Sequence, residues 1–505
     1  MQIKDGFIKY LEKVIPGFDQ EIKKLQVAQM LWMMIEPSRR HSHHANSINI
    51  GSRELRKLFG KSPSFKDINR EVASRYFRVH IHKNNAGKES HNQGYEPSPW
   101  MMVALDEYLS GDSGASNLLD ENGRRINKPK PAISSLTKDK NPTVGWKGAY
   151  VPNLVSININ NMRHIELYFR RRYEASILNI FDFDDMSPVA YAKRILCSAG
   201  LRDLATNINF PGQIPHRYVQ AKSGRLYTEG LSLQNCPKEI RVAALEGCWD
   251  YDISCCHFAI LEQMAARFGI NCPTIKSYVM DKRTFREVIA REVGISVEHA
   301  KGVLTSTIYG SIQSIRPIDA IPKLIGIPAS KMLYKNETYR LIKNEIKDAV
   351  NRIYLKHPTH RGMYINDFHL GMSKKENKKT VLAHLLQGVE ARALKSSIEG
   401  LGDNLVLLQH DGFTTRNPID KNSLERRVLE ATGYGLVFES TNLVMPKTNY
   451  ETEDWYLDLK SKNTEKPNKN KGLEVIFTSF GYTIAPKHWD IPPVFPVKWD
   501  FVTPF

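Results

Sequence analysis

Residues 247–269 read GCWDYDISCCHFAILEQMAARFG, and this stretch decides the fold that the sequence predicts. Apolar residues alternate with Asp250 and Asp252, which predicts a strand that carries both carboxylates on one face. Apolar side chains then recur at helical spacing, so the strand is expected to lead into a helix. A carboxylate fixed at the end of a strand suits Mg²⁺, which takes one or two protein carboxylates together with substrate phosphates. The pattern also leaves open that the two aspartates cap the helix.

A second candidate carboxylate lies in NLVLLQHDGFTTR, residues 404–416. The apolar run predicts a buried strand, and His410-Asp411-Gly412 between two strands predicts a tight hairpin with an acid at its tip. A strand that delivers Asp411 to a turn would hold it rigidly, as a metal site requires. An ordinary Asp-Gly turn has the same local pattern, so this segment does not decide the question alone.

Between the two carboxylates lies VEHAKGVLTSTIYGS, residues 297–311, which has the pattern of a helix. Lys301 and Tyr309 are eight residues apart, just over two helical turns, and so lie on nearly the same face. A lysine beside phosphates and a tyrosine beside a base or sugar are typical of nucleotide binding. The alternative is a core helix closed by a C-cap glycine, Gly310.

The charge of the chain indicates its partners. The 505 residues include 71 Lys and Arg against 54 Asp and Glu, a formal net charge of +17. Such an excess favours a nucleic-acid partner, because each neutralised phosphate releases a condensed counterion. The six cysteines form no CxxC pair and predict reduced thiols rather than a zinc site. No apolar run reaches the ~20 residues that span a bilayer. The first residues do not resemble a signal peptide, so the sequence predicts a cytoplasmic protein without membrane contact.

Changes in composition divide the chain into four parts. Residues 1–109 are predicted to form a basic, mainly helical domain, whose short helices and final basic strand favour a winged-helix arrangement for nucleic acid. Residues 110–147 are rich in Gly, Pro, Ser and Lys, which predicts a linker or mobile loop. Residues 148–460 alternate helices and short strands as one large α+β unit. Residues 461–505 are predicted to be a linker and an aromatic, proline-rich tail.

Together these segments resemble the family A polymerase superfamily, which includes the bacterial DNA polymerase I type and the phage T7-type single-subunit RNA polymerases. Residues 247–269, 297–311 and 404–416 are similar to its motifs A, B and C, in the family's order. LLQGVEARA is similar to the Gln-Gly helix that precedes motif C in the DNA polymerases. Ahead of motif A, SGRLYTEGLSLQNCPKEIR is similar to a further family segment, matched by Gly224, Arg225, Leu233, Gln234, Asn235, Pro237 and Arg241.

The resemblance implies a right-hand polymerase with palm, fingers and thumb, in which the fingers are inserted between about residues 265 and 400. Asp252 and Asp411 would hold two Mg²⁺ ions, one lowering the pKa of the primer 3′-hydroxyl and the other neutralising the triphosphate and leaving group. Asp250 stays a possible ligand in place of Asp252. Asp252 is preferred because His257 then follows it by five residues, in the family's phase.

The resemblance also implies contacts with nucleotide and template. The nucleotide would be bound by Lys301, Tyr309, Gly310, His257 and Arg291. The template would be bound by Arg225, Gln234, Asn235 and Gln387. Lys301 would contact the triphosphate and Tyr309 the nascent pair and its sugar, so both are counted with the two aspartates as catalytic residues. His410 would flank the catalytic Asp411.

Three departures from the family's motifs matter. Val297 stands where motif B usually has an arginine that contacts phosphate. The candidates to supply that contact are Arg291, Lys282, Arg283 and Arg286. His257 replaces the glutamate that blocks a ribose 2′-hydroxyl in the DNA polymerases, and Thr305 replaces a common aromatic residue.

The type of product is left open by these features. The missing glutamate and the sequence Tyr309-Gly310-Ser311 favour a DNA-directed RNA polymerase for transcription or primer synthesis. The Leu-Gln-Asn segment and the Gln-Gly helix favour the alternative, a DNA polymerase for phage or plasmid replication. The implied partners are a DNA template, nascent RNA or DNA and nucleoside triphosphates, and the short chain favours a compact phage or mobile-element enzyme. A metal-dependent nuclease and a non-catalytic DNA-binding initiator stay open as other classes.

Overall fold

The structure is a computed structural model of the chain. It describes residues 2–36, 48–59, 68, 74–80, 92–111, 114–120, 122–128, 133–135, 145–146, 148–177, 186, 188–445, 473–478 and 481–486. Within these ranges helices and mainly antiparallel strands are mixed, which confirms an α+β fold. The division into palm, fingers and thumb stays a prediction. Among the described helices, none is both long enough and apolar enough to cross a membrane.

The N-terminal part combines helices with a small sheet, so the expectation that residues 1–109 are mainly helical is only partly right. Its helices are α1 (Asp5–Val14), α2 (Lys24–Trp32), α3 (Ser52–Phe59), α4 (Ser74–Tyr76) and α5 (Pro99–Ser110), with 3₁₀ turns at Phe18–Gln20 and Met33–Ile35. Its strands are β1 (Ile3–Lys4), β2 (Ile48–Gly51), β3 (Phe77–His80), β4 (Asn92–Pro97) and β5 (Leu118–Leu119). Strands β2, β4 and β3 form an antiparallel sheet in that order.

The winged-helix expectation is tested only in part. Helix α3 follows β2 directly. Strand β4 then pairs antiparallel with both β2 and β3, and this order is compatible with a winged helix. Most of the chain between α3 and α4, and all of it between β3 and β4, lies outside the described residues. The winged helix therefore stays a prediction.

A buried lysine anchors the first strand to the body of the protein. The Lys4 ammonium donates hydrogen bonds to Asp203 Oδ1 (3.0 Å), Thr206 Oγ1 (2.9 Å) and the Gly114 carbonyl oxygen (3.1 Å). Burial of a charge requires the full set of partners that Lys4 has. The strand that contains Lys4, β1, pairs with β5, which lies inside the segment 110–147. This strand of the segment therefore packs on the body, and the linker expected from the composition stays a prediction.

Packing places the middle of the chain with the N-terminal part. Strands β6 (Ile133–Ser135), β7 (Leu154–Ser156), β8 (Gln213–Pro215), β9 (Tyr218–Gln220) and β10 (Leu226–Thr228) accompany helices α6 (Ile159–Ile177), α7 (Pro188–Ala205) and α8 (Lys238–Ala244). Helices α6 and α7 share one hydrophobic core with α1, α2 and α5. Residues after 148 thus contribute to both cores, and the predicted domain boundary at residue 148 stays a prediction.

A second core contains the segments that resemble the polymerase motifs, and Trp146, Val151, Tyr218 and Leu226 also belong to it. Its helices are α9 (Cys256–Arg267), α10 (Pro273–Met280), α11 (Lys282–Val293), α12 (Val297–Ile308), α13 (Ala320–Lys335), α14 (Glu337–Lys356), α15 (Lys378–Ile398) and α16 (Lys421–Thr432), with a 3₁₀ turn at Gly402–Asn404. Its strands are β11 (Trp249–Ile253), β12 (Thr359–His360), β13 (Met363–Ile365), β14 (Gly371–Ser373), β15 (Leu405–Leu408), β16 (Gly412–Thr415) and β17 (Phe438–Asn442).

The central sheet of this core positions the candidate site. Its strands are antiparallel in the order β15–β16–β11–β17, so β11 is an interior strand. Helices α10 to α14 fill most of the segment 265–400 in which fingers are expected. Strands β12, β13 and β14 form a small sheet at the end of that segment.

The C-terminal segment contains a feature that its composition did not reveal. Strands β18 (Leu473–Thr478) and β19 (Gly481–Pro486) form an antiparallel hairpin inside the segment 461–505, for which a linker and tail are expected. The aromatic tail itself, after residue 486, lies outside the described residues.

Candidate active site

The strand and helix predicted for residues 247–269 are present. Asp250 and Asp252 lie on interior strand β11, and the chain turns into α9 at Cys255, whose φ is 47°. Phe258 and Leu261 face the core, with exposed fractions of 5% and 0%. The alternation of polar and apolar residues was thus a sufficient signal for this element.

The hairpin predicted around Asp411 is also present, formed by β15 and β16. Asp252 is paired with Gly412 across the sheet, and the Ile253 N–H donates to the Asp411 carbonyl oxygen at 3.0 Å. A Cβ atom at position 412 would lie 2.3 Å from Asp252 Oδ1 and 2.3 Å from the Tyr251 carbonyl oxygen. Glycine is therefore required here by the approach of the aspartate. The sequence suggested only a turn glycine.

Burial and neighbouring acids disfavour the ionisation of both carboxylates. Burial raises the pKa of Asp252 to about 6, and the negative charges of Asp250 and Asp411 add to the rise. The pKa of Asp411 is also raised, by burial and then by the charge of Glu390, while a hydrogen bond from its own backbone N–H opposes the rise. Within the described part of the chain, neither the Asp252 nor the Asp411 side chain has an ion pair or a hydrogen bond to another side chain. Two such carboxylates are a hard-oxygen donor set that fits Mg²⁺.

Asp250 differs from Asp252 in having partners. Thr414 Oγ1 donates to Asp250 Oδ1 at 2.7 Å, Gln409 donates to the same oxygen, and an Arg241 nitrogen lies 3.9 Å from Oδ2. The side chain is 5% exposed. These bonds hold Asp250 inside the sheet, which favours Asp252 as the metal ligand.

Beside the carboxylates lies a buried network centred on Glu390. This glutamate on α15 is fully buried and accepts from Arg225 Nε at 2.7 Å, from a second Arg225 nitrogen, and from His257 Nε2 at 2.5 Å. Burial opposes its ionisation, but the hydrogen bonds and charges of His257 and Arg225 outweigh burial and hold its pKa below the usual value. Sequence reasoning missed Glu390. Its signal is a single acid on an apolar helix.

His257 connects this network to Tyr309. The Tyr309 hydroxyl is hydrogen-bonded to His257 Nδ1, and the two rings meet edge-on with centroids 5.4 Å apart. Burial raises the pKa of Tyr309 to about 12, so the phenol keeps its proton at neutral pH. Both ring nitrogens of His257 are thus engaged, and His257 is suited to orient Tyr309. It is 8% exposed, which disfavours the direct nucleotide contact expected for it.

Arg225 does not have the surroundings expected of a template contact. Its side chain is 14% exposed and its guanidinium is paired with Glu390. A charge that is already neutralised by a buried carboxylate has little left to offer a phosphate. The structure thus replaces the expected template contact of Arg225 with an internal ion pair.

Lys301 lies exposed on α12, where it is free to approach a triphosphate. Its ion pair with Glu298 (3.3 Å) involves two exposed side chains and is weak for that reason. Two of the four candidates for the missing phosphate contact are engaged: Arg286 donates to Tyr278 Oη, and Lys282 pairs with Glu439. The ion pair of Arg283 with Glu287 is as exposed as that of Lys301, and Arg291 has no partner among the described contacts. Arg283 and Arg291 therefore both remain candidates.

Gly310 follows Tyr309 with a φ of 78°, a conformation that favours glycine. The aliphatic stem of Lys379 passes directly over it, since a Cβ at position 310 would lie 2.7 Å from Lys379 Cδ. Lys379 is exposed at the first turn of α15. A second lysine therefore lies beside Gly310, next to Tyr309, and no local pattern predicts it because Gly310 and Lys379 are 69 residues apart.

The two amides expected to bind template are used inside the protein. Gln234 accepts from the Thr228 N–H at 2.8 Å and donates to the carbonyl oxygens of Leu226 (3.0 Å) and Leu408 (3.2 Å). Neither amide hydrogen of Gln234 is left for a template, which corrects the expectation. Asn235 accepts from the Ser232 N–H and also bonds within its own turn. Gln234 thus connects its own segment to Leu408 of β15, and Asn235 stabilises the turn that contains it.

Gln387 is half-buried on α15, and its template contact stays a prediction. The adjacent Gly388 is required by close packing, because a Cβ there would lie 2.4 Å from Asn366 Cγ. His410 packs its ring against Tyr227, with centroids 4.7 Å apart. Burial, and then the charge of Arg225, lowers the pKa of His410.

Cys256, His257 and Glu390 form the one group of metal-ligand type that the described residues bring together with three members. A cation does not fit there. An Arg225 nitrogen lies 3.1 Å from His257 Nε2, and the same guanidinium holds Glu390. The arginine therefore supplies the positive charge that a metal ion would bring. The assignment of Mg²⁺ to the pair Asp252 and Asp411 stays a prediction.

No protein-family model and no curated protein sequence matches this chain. Among solved structures, the chain is similar to the polymerase domain of Pol1 from M. smegmatis, in a complex with DNA primer-template and dNTP. The similarity has a TM-score of 0.41 and 12% sequence identity, and covers 57% of this chain and 67% of that chain. Because the TM-score is below 0.5, this likeness alone establishes neither a shared fold nor a shared activity.

Proposed function

We propose that this chain is a template-directed nucleotidyl transferase, with Asp252 and Asp411 as its metal ligands. The observation that carries the proposal is the approach of Asp252 to the Asp411 hairpin, which the bare Cα of Gly412 permits. Two half-buried carboxylates that one sheet brings together without ion-pair partners are costly unless a cation neutralises them. Bound Mg²⁺ would lower the pKa of an attacking 3′-hydroxyl and offset the charge of the triphosphate.

The helix between the two carboxylates supports a nucleotide as the substrate. Exposed Lys301 offers an ammonium to the triphosphate, and Arg291 on the preceding helix offers a free guanidinium. Tyr309 lies at the end of the same helix as Lys301 and is 37% exposed, so one edge of its ring is open to a ligand. A nuclease that uses the same carboxylates would not need this helix.

We further propose that the product is RNA. A carboxylate only accepts hydrogen bonds, so the contact between Glu390 and His257 Nε2 requires Nε2 to carry the hydrogen. In the neutral imidazole Nδ1 is then an acceptor, and the Tyr309 hydroxyl donates to it. The phenolic oxygen keeps a lone pair that can accept from a ribose 2′-hydroxyl, a group that a deoxyribonucleotide lacks.

The experiment that tests the proposed reaction supplies labelled NTPs or dNTPs, Mg²⁺ and single-stranded DNA, with and without a primer. Template-dependent incorporation by the wild type is expected, and Asp411→Ala should abolish it, because it removes a metal ligand. Incorporation that survives in Asp411→Ala would contradict the mechanism. Degradation of the DNA that persists in Lys301→Ala would indicate a nuclease. Normal DNA binding without incorporation of any nucleotide would indicate an initiator.

The choice of sugar is tested by Tyr309→Phe. The wild type is expected to prefer NTPs over dNTPs, and Tyr309→Phe should reduce that preference by about tenfold, the effect of losing one hydrogen-bond acceptor. The measurement is the ratio of kcat/KM for matched ribo- and deoxyribonucleotides. The matched control is Tyr334→Phe, a tyrosine on α13 outside the site. Preference for dNTPs in the wild type would favour the DNA polymerase, and an unchanged ratio in Tyr309→Phe would remove Tyr309 from this role.

A further inference from the structure

A cavity of about 300 Å³ lies between the end of α9, the turn joining β13 to β14, helix α15 and the segment that follows α16. None of its described lining residues belongs to the candidate active site. Its size is at the lower limit of pockets that bind small molecules. The cavity is therefore large enough for a ligand and has no role in the reaction proposed above.

Positive groups dominate this cavity. It is lined by the guanidinium groups of Arg267 and Arg392, the imidazoles of His357 and His369, and one carboxylate, Asp367. Burial raises the pKa of Asp367, and the charges of the two arginines and two histidines oppose that rise. Two guanidinium groups against one carboxylate leave a net positive charge even when both imidazoles are neutral. Such a cavity attracts an anion.

One of these guanidinium groups is held in place before any ligand arrives. Arg267 lies over the face of Tyr434, with 3.7 Å between its Cζ and the ring centroid. Arg267 also donates to the Gly433 carbonyl oxygen at 2.8 Å. Tyr434 itself is 1% exposed, so the support is rigid. A preorganised guanidinium loses little freedom on binding, and its planar fork matches a phosphate.

The opposite wall is a turn fixed by Asn366. Its side-chain oxygen accepts from the N–H groups of Phe368 and Leu370, each at 3.0 Å, and its amide donates to the Ser223 carbonyl oxygen at 2.9 Å. The turn forces His369 to a φ of 60°, which is uncommon for a residue with a side chain. Local strain of this kind is often retained where a turn presents side chains to a ligand. Here it presents Asp367 and His369 to the cavity.

We propose that this cavity binds a phosphate group carried by a nucleotide, either a free mononucleotide or a unit of a single-stranded nucleic acid. Arg267 and Arg392 contact the phosphate, and Asp367 accepts from a sugar hydroxyl or a base amino group. A carboxylate would repel a bare inorganic phosphate, so its presence favours a ligand that also brings hydrogen-bond donors. The proposal does not rest on the polymerase activity.

The test uses the full chain in EDTA without Mg²⁺, titrated calorimetrically with AMP, inorganic phosphate and a short single-stranded oligonucleotide. Binding of AMP or of the oligonucleotide is expected, and Arg267→Gln/Arg392→Gln should weaken it by at least about tenfold. If the double variant loses only the binding of AMP, the ligand is a free nucleotide. If it loses only the binding of the oligonucleotide, the ligand is the nucleic-acid backbone. The matched control is Arg426→Gln, an exposed arginine on α16 outside the cavity.

Two further variants keep the proposal falsifiable if the double variant is unstable. Asp367→Asn removes the repelling carboxylate and should increase the affinity for inorganic phosphate severalfold. Unfolding cannot produce such a gain. Lys301→Ala should leave unchanged the part of the binding that Arg267→Gln/Arg392→Gln removes. This result would separate binding in the cavity from binding in the catalytic site. The proposal is overturned if the wild type binds none of the three probes, if the double variant binds them as the wild type does, or if Asp367→Asn does not tighten phosphate.

Discussion

Replacing Asp252 with asparagine is expected to abolish nucleotide incorporation and, at the same time, to make the metal-free protein more stable. Incorporation should fall by at least about a thousandfold, because metal-ion catalysis contributes several kcal/mol and each ~1.4 kcal/mol is a factor of ten. Stability should rise because the substitution removes a buried negative charge that lies near Asp250 and Asp411. A loss of activity combined with a gain of stability distinguishes a catalytic carboxylate from a structural one.

The pH dependence of this gain follows from the raised pKa. The folded state holds the proton of Asp252 up to about pH 6, whereas the unfolded chain releases it near the ordinary aspartate pKa of 3.8. Ionisation therefore destabilises the folded protein fully above pH 6 and not at all well below pH 4. Asp252→Asn should accordingly raise the free energy of unfolding in EDTA by about 1–3 kcal/mol at pH 7.5. The difference between variant and wild type should vanish as the pH falls toward 4.

Asp250→Asn is the matched control, since it changes the neighbouring carboxylate on the same face of β11. An amide oxygen can still accept the hydrogen bonds that Thr414 and Gln409 donate to Asp250 Oδ1. Asp250→Asn should therefore keep far more incorporation than Asp252→Asn. The reverse order of activities would assign the metal to Asp250. If Asp252→Asn is less stable than the wild type in EDTA at pH 7.5, the Asp252 carboxylate has a stabilising partner.

Glu390→Gln is expected to cost about 3–5 kcal/mol of the free energy of unfolding, the range for a buried ion pair that loses one partner. The substitution keeps the shape of the side chain but leaves the Arg225 guanidinium, 14% exposed, without a countercharge. His257 also loses the carboxylate that accepts from its Nε2. The measurement is equilibrium unfolding in denaturant, with the midpoint and the m-value compared with those of the wild type.

Glu287→Gln provides the control for this substitution. It removes the same charge from the ion pair of Glu287 with Arg283. The Glu287 side chain is 47% exposed and that of Arg283 is 86% exposed. Solvent screens such a pair, so the expected loss is far smaller than that of Glu390→Gln. Restoring neutrality with Arg225→Gln in the Glu390→Gln background should recover part of the stability, because no unpaired charge remains. Equal losses for Glu390→Gln and Glu287→Gln would contradict the central role of this network.

Local patterns in the sequence were sufficient to predict the elements of the site. Alternation predicted β11, helical spacing predicted α12 with Lys301 and Tyr309, and an apolar run before Asp-Gly predicted the hairpin of Asp411. Each of these signals depends on neighbours within a few residues. The predicted strand, helix and turn are therefore all present in the structure.

Long-range contacts were not predictable in the same way. Glu390 meets Arg225, 165 residues away, and its sequence context is that of any acid on a helix. Gln234 was interpreted through the family resemblance as a template contact, but its amide is used in backbone hydrogen bonds that only the fold brings together. The packing of α6 and α7 with the N-terminal helices is a long-range contact of the same kind, and the change in composition near residue 148 does not reveal it.

Gly412 has a consequence for how this protein can change in evolution. Its φ is not among the positive values, so asparagine, the usual substitute for glycine in a left-handed turn, relieves nothing here. Two atoms lie 2.3 Å from where a Cβ would be: the Asp252 carboxylate oxygen Oδ1 and the backbone carbonyl oxygen of Tyr251. A smaller residue at 252 removes only the first of them, because every residue at 251 keeps its carbonyl. Position 412 should therefore remain glycine in related chains even where position 252 changes, and a side chain there would require the backbone of the hairpin to move.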